Sequence, residues 1–189
     1  QIKGMYLTQI TEDGDIAVLS GSNQYHVSDK VIRGGVEIQK RDLETSDTKG
    51  QGSATLKDAE FEIISLNDNA VLVEGKLYNK GDVVKTILTD IEGVASTSAD
   101  LLPYGKYRIE ESKAPEGYLT DGAEPIEFEI TEDGKIVDLT GTDTSIYNQV
   151  KRGDLEGVKI GAGTHQRLAG VPFRITSKTT DRTGQRFFH

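Results

Sequence analysis

The 189-residue chain has no cysteine and no tryptophan, and it carries one methionine and four prolines. The lack of cysteine excludes disulfide staples and thiolate metal or redox centres, so an exported form of this chain would need a staple of another kind. No apolar run approaches the roughly 20 residues that cross a bilayer as a helix, so membrane insertion is not expected in this stretch. The first residues show no charged-then-apolar secretory pattern, as expected of an internal stretch of a mature protein. Positive charge is scarce: 22 Lys and Arg stand against 31 Asp and Glu, for a net charge of -9. The only dense basic patches are Lys151-Arg152 and Arg182 to Arg186, which argues against a nucleic-acid or anionic-membrane surface. His26, His165 and His189 are too scattered to form a metal site, and the Gly-rich stretch 161–166 lacks the Lys-Ser/Thr of a phosphate loop, so no metal and no cofactor is expected. Asn67, Asp68 and Asn69 lack the glycine and terminal glutamate of a calcium loop and read as a turn. Helical periodicity is also missing.

What is present is glycine, 21 residues of it, punctuating short Val/Ile/Tyr/Thr runs. Strands are expected near 36–40, 60–66, 70–73, 83–90, 94–98, 105–111, 126–130, 135–139 and 146–150, with alternation clearest in Val36/Ile38/Lys40, Phe61/Ile63, Ile126/Phe128/Ile130 and Ile146/Asn148/Val150. So many strands without a helix are most simply buried as an all-β, two-sheet sandwich. The segment 44–55, rich in Ser, Thr, Asp and Gly, reads as a mobile surface loop. The chain also repeats itself: ITEDGDIAVLSG at 10–21 returns as ITEDGKIVDLTG at 130–141, and Arg33-Gly34 returns as Arg152-Gly153. That register divides the chain into the last hairpin and strand of one unit (1–33), a complete unit (34–152) and the first strands of a third (153–189).

Three polar residues fall on inward parities of otherwise apolar strands. Lys40 follows Val36 and Ile38, Glu111 follows Tyr107 and Ile109, and Asn148 lies between Ile146 and Val150. After Glu111, Ala114-Pro115-Glu116-Gly117-Tyr118 ends the strand in a tight turn, from which the aromatic ring can fold back over the strand end. One reading is a buried Lys-Glu ion pair hydrogen-bonded to an asparagine. The other is reactive: burial favours the neutral amine and the neutral acid. Lys40 could then attack the carboxamide carbon of Asn148, while Glu111 polarises the carbonyl and carries protons to the departing ammonia. Each molecule would react once, as self-modification and not as enzymatic turnover. Glu110, of opposite parity to Glu111, should be solvated, which removes a glycosidase-like carboxylate pair.

The segments GVEIQKRD, YRIEESKAPEGY and IYNQVKRGD resemble the first-strand lysine, the E-box and the last-strand asparagine of Cna B-type domains, the SpaA-like prealbumin-fold modules of Gram-positive pilins and surface adhesins. The resemblance covers 34–152. Ile109 and Ser112 are the departures from the E-box pattern. It implies a cross-linked Lys40-Asn148 pair with Glu111 as the catalytic acid. For the flanking units it implies Asp29 in the acceptor position, with its Lys and Glu upstream of residue 1, and Lys159 in the amine position, with its Glu and Asn beyond His189. It further implies an extracellular, cell-wall location, neighbouring repeats of the same chain as partners, and a host surface ligand bound through another domain. The alternative is that this module is itself the adhesin and contacts host protein or carbohydrate through its loops, where Tyr78 and Tyr104 are the aromatic candidates.

Overall fold

A computed structural model of the chain describes residues 29–176. The described residues contain eleven strands: β1 (Arg33–Asp42), β2 (Glu60–Ser65), β3 (Val71–Val73), β4 (Lys76–Tyr78), β5 (Val83–Leu88), β6 (Val94–Ser96), β7 (Leu102–Pro103), β8 (Gly105–Lys113), β9 (Ile126–Ile130), β10 (Ile136–Leu139) and β11 (Ile146–Asn148). All nine expected strands are present. The two additional ones are short. β4 has three residues, too few for alternation to register, and it takes in Tyr78, which is half-buried against the core and not on a loop. β7 contains Pro103, which usually argues against a strand; it is tolerated because this two-residue strand pairs only with Arg33 and Gly34.

The strands form the expected sandwich. In one sheet β1 is central: it pairs in parallel with β10 along its first half and with β11 along its second, while β6 and β7 pair with it antiparallel. The facing sheet runs β5-β2-β8-β9, all antiparallel, and β3-β4 is a separate hairpin. Between the sheets lie Val36 and Ile38 of β1, Phe61 and Ile63 of β2, and Tyr107 and Ile109 of β8, all fully buried. Burying each such side chain favours folding by about 1.5–3 kcal/mol. Tyr107 stacks on Phe128 at 5.8 Å between ring centroids and donates its hydroxyl to the Pro103 carbonyl at 2.8 Å, so its polar end is satisfied inside the core.

Gly34 and Gly35 let β1 pass between its neighbours. A Cβ at Gly34 would lie 2.7 Å from the Lys135 carbonyl oxygen, and one at Gly35 would lie 2.4 Å from that of Ser98. The segment 44–55, expected to be a mobile surface loop, has no strand and is exposed or half-buried throughout, and it also bonds into the fold. Thr55 donates its N–H to the Glu116 carbonyl at 3.0 Å, Gln51 donates to Asp42, and Glu44 accepts Arg152 Nε at 2.8 Å. Its polar composition reflects side chains bonded within the fold as much as side chains facing water. Outside the sandwich, described residues 153–176 contain one isolated bridge, Ile160 to Arg167, and no strand.

Candidate functional site

Lys40, Glu111 and Asn148 meet inside the sandwich. β1 and β11 are adjacent and parallel, with Lys40 opposite Ile146 and Asp42 opposite Asn148, so Lys40 and Asn148 come from one sheet. Glu111 comes from β8 in the facing sheet, opposite Phe61 of β2. Lys40 and Asn148 are fully buried, as is the Glu111 side chain. Continued alternation along each strand accounts for this: the positions next in phase after Ile38 and Ile109, and after Ile146, must point inward whatever residue occupies them.

The two oxygens of Glu111 face different partners. Oε1 lies 2.9 Å from Lys40 Nζ, and Oε2 accepts a hydrogen bond from Asn148 Nδ2 at 2.6 Å. Asn148 Nδ2 also donates to the Leu119 carbonyl. The contact expected between Glu111 and the Asn148 carbonyl oxygen is not the one present, because Glu111 meets the amide nitrogen. Two acceptors, the carboxylate and the Leu119 carbonyl, draw the NH2 group toward themselves. Asn148 Oδ1 is consequently buried without a hydrogen-bond partner among the described residues. Lys40 Nζ and Glu111 Oε1 are within ion-pair distance but lack hydrogen-bond alignment, and neither has another hydrogen-bond partner. Lys40 Nζ also lies 5.6 Å from the centroid of the Phe61 ring, which floors the site with apolar surface.

Burial pushes the Lys40 amine down to about 8, against the opposing pull of the Glu111 charge. A lysine depressed in the fold and ordinary in the unfolded chain is more protonated when unfolded, so stability must rise with pH between the two values. In Asn148→Ala, where Lys40 has no acceptor to join, chemical denaturation at a series of pH values should show stability increasing from about pH 8 to 10 by on the order of 2–3 kcal/mol. Above about pH 10 the trend should reverse, because burial raises Tyr107 to about 12 and also raises Tyr118. A flat profile from pH 8 to 10 would mean that the amine is not desolvated.

A second buried polar group escaped the sequence reading. Asp42 is fully buried on β1 and shares the parity of Val36, Ile38 and Lys40, so extending the alternation by one more step would have found it. Its carboxylate accepts the Tyr118 hydroxyl at 2.7 Å, both Gln51 Nε2 contacts at 3.0 Å, and the backbone N–H groups of Glu44 and Thr45 at 2.9 Å. Burial alone would raise the Asp42 carboxyl, but the bonds from Tyr118, Thr45 and Gln51 outweigh it and hold the group below the usual carboxylate range. Tyr118 is itself 1% exposed, folded back over the strand end as expected.

The remaining candidates lie elsewhere. Asp29 and Lys159 are exposed, as is His165, whereas His26 and His189 fall outside the described residues. Glu110 is partly exposed and pairs with Arg108 at 3.1 Å, so it does not join Glu111. Tyr104 is exposed, while Tyr78 is half-buried in β4, so the two aromatic candidates do not form a shared exposed patch. Among the described residues no group of three His, Cys, Asp or Glu could hold a metal ion, and no helix is long and apolar enough to cross a membrane.

No curated protein sequence matches the chain significantly. Among solved structures, the chain is similar to the Bacillus anthracis TIE protein at 29% identity, covering 63% of this chain and 17% of that one, with a TM-score of 0.42. It is similar to BcpA, the major pilin subunit of Bacillus cereus, at 30% identity, covering 64% of this chain and 31% of that one, again with a TM-score of 0.42. SpaD, the full-length major pilin of Corynebacterium diphtheriae, aligns at 17% identity over 62% of this chain and 30% of its own, with a TM-score of 0.40. The chain thus spans well under half the length of these solved chains. Residues 35–145, over half of the sequence and nearly the whole of the sandwich, match the family described as SpaA, prealbumin-like fold domain, and the chain belongs to that family.

Proposed function

We propose that residues 34–152 form a structural repeat module of a Gram-positive cell-surface protein or pilin, rigidified by an isopeptide bond that the module forms itself between Lys40 and Asn148. The observation that carries this reading is the bridging position of Glu111, with one carboxyl oxygen toward the amine and the other toward the carboxamide nitrogen. The neutral Lys40 amine bonds through its lone pair to Asn148 Cγ, and the Glu111 carboxylate takes one proton from Nζ. It hands that same proton to Nδ2 as the Cγ–Nδ2 bond breaks. A primary amine and a carboxamide become a secondary amide and ammonia, and Glu111 ends with the proton count it began with. A purely structural group would be expected to satisfy its buried acceptors; Asn148 Oδ1 has no hydrogen-bond partner among the described residues, which favours the reactive reading.

The bond would close a loop of roughly 109 residues and, by the chain-entropy argument used for disulfides, stabilise the fold by on the order of 4–5 kcal/mol. Unlike a disulfide, it cannot be reduced, which suits a cysteine-free chain working outside the cell at the cell wall. In the flanking repeats we assign 1–33 to the end of a preceding unit, with Asp29 as its acceptor, and 153–189 to the start of a following one, with Lys159 as its amine. Leu155, Val158, Ile160, Phe173 and Ile175 are all at least half exposed, an apolar set that a further sandwich core would bury. Neighbouring repeats are therefore the expected partners, and a host ligand would bind through another domain. Intact-mass measurement tests the chemistry: the purified 189-residue chain should be lighter than its sequence by one ammonia, with the new bond mapped to a Lys40-Asn148 branched peptide. An undiminished mass would leave the ion-pair reading in its place.

A further inference from the structure

Among the described residues Asp42 is the one buried carboxylate that the proposed reaction does not use, and its partners connect it to the reacting amide. Its carboxylate holds the Tyr118 hydroxyl at 2.7 Å. The next residue, Leu119, is fixed through its N–H to the Gln149 carbonyl at 2.9 Å and offers its own carbonyl to Asn148 Nδ2. The same network folds the 44–55 segment across the turn. Gln51 donates its backbone N–H to the Tyr118 hydroxyl at 3.3 Å and its side chain to Asp42, and Thr55 bonds Glu116 at 3.0 Å. Gly117, at φ +88°, packs so closely on this segment that a Cβ would lie 2.5 Å from Ala54 Cβ. The turn after β8 is thus clamped on one side by β1 and on the other by the folded segment.

We propose that Asp42 and Tyr118 form a latch whose role in the cross-linking reaction is positional. The latch holds the Leu119 carbonyl where it orients the Asn148 amide, with the departing nitrogen toward Glu111, and it ties segment 44–55 to the turn that carries Leu119. Neither residue hydrogen-bonds the reacting amine or carboxamide in this arrangement; each acts through Leu119. The inference rests on the isopeptide reading and deepens it. Losing one aligned contact of this kind misplaces the amide without unfolding the sandwich, and misplacement alone is expected to slow the reaction by about ten-fold or more.

The test is a time course of ammonia loss by intact mass after cell-free synthesis of the full chain. Wild type would be compared with Tyr118→Phe, Asp42→Asn, Gln51→Ala and Thr45→Ala. Thr45→Ala removes the hydroxyl that donates to Asp42 at 3.1 Å but leaves the Tyr118 contact, so it reports the structural share of the network. Each substitution is also made in a Glu111→Gln background, where melting temperature is read without any cross-link. Slow ammonia loss in Tyr118→Phe and Asp42→Asn, with Thr45→Ala near wild type and slowing out of proportion to the fall in melting temperature, supports the latch. If Tyr118→Phe does not fold, the same comparison is made between Gln51→Ala and Thr45→Ala. Wild-type rates in the latch variants, or slowing that simply follows lost stability, overturn it. Absence of ammonia loss in wild type itself overturns the isopeptide reading, and the latch role falls with it.

Discussion

Glu111→Ala is expected to give a chain of full sequence mass whose melting temperature lies roughly 15–30 °C below that of the cross-linked protein. Two effects act in the same direction. The variant forfeits the closed loop, on the order of 4–5 kcal/mol. It also leaves the Lys40 amine in a fully buried position without a counter-charge, and breaking a buried pair from one side typically costs about 3–5 kcal/mol. The two do not add in full, because an unpaired Lys40 lowers its own cost by losing its proton. Glu111→Gln separates them: it keeps the size and hydrogen bonding of the side chain but cannot relay a proton, so it should stay unjoined while melting above Glu111→Ala. Mass spectrometry and calorimetry on the three proteins suffice. An ammonia deficit persisting in Glu111→Ala would remove the carboxylate from the chemistry.

Phe61→Ala should be the most damaging apolar substitution near the site. Phe61 is fully buried at the centre of the sandwich, opposite Glu111 on the neighbouring strand, with its ring beneath Lys40. Truncating such a ring typically costs about 3–5 kcal/mol through lost transfer energy and the cavity left behind. Here it has a chemical consequence as well. Water admitted to the space would resolvate the amine, return it toward its ordinary protonated state and remove its nucleophilicity. Cross-linking should therefore be slowed even at temperatures where the variant remains folded. Phe61→Leu, which keeps most of the apolar volume, should retain most of the rate. Equal rates in Phe61→Ala and wild type would show that dryness at this position is not needed.

Strand alternation made most of this legible in advance. Val36, Ile38 and Lys40 on one strand, and Tyr107, Ile109 and Glu111 on another, give the fold and two thirds of the triad at once, because a period of two decides which side chains point inward. Tertiary pairing is less visible. Nothing local in Lys76-Leu77-Tyr78 announces a strand, since its strand character comes from the hairpin with Val71–Val73. Pro103 is accommodated in a two-residue strand whose partners, Arg33 and Gly34, lie far from it along the chain. Segment 44–55 read as solvent-facing because of its Ser, Thr, Asp and Gly, and its bonds to Asp42, Tyr118, Glu116 and Arg152 are tertiary contacts that local composition does not announce. The orientation of the Asn148 amide was out of reach too: the Leu119 carbonyl is one of the two acceptors that draw its NH2 group, and backbone acceptors leave no mark in side-chain patterning.

The parallel pairing of β1 with β11 determines how the module meets a pull on its ends. Arg33, at the start of β1, and Asn148, at the end of β11, lie at opposite ends of two strands that run the same way. A load applied there acts along the strands, so their rungs are sheared together and do not peel open one after another. Only Lys40, Arg41 and Asp42 pair with β11, a ladder of three residues that is short for such a duty. Where so few rungs join the first strand to the last, the proposed Lys40–Asn148 bond would decide whether the module stretches or stays at fixed length.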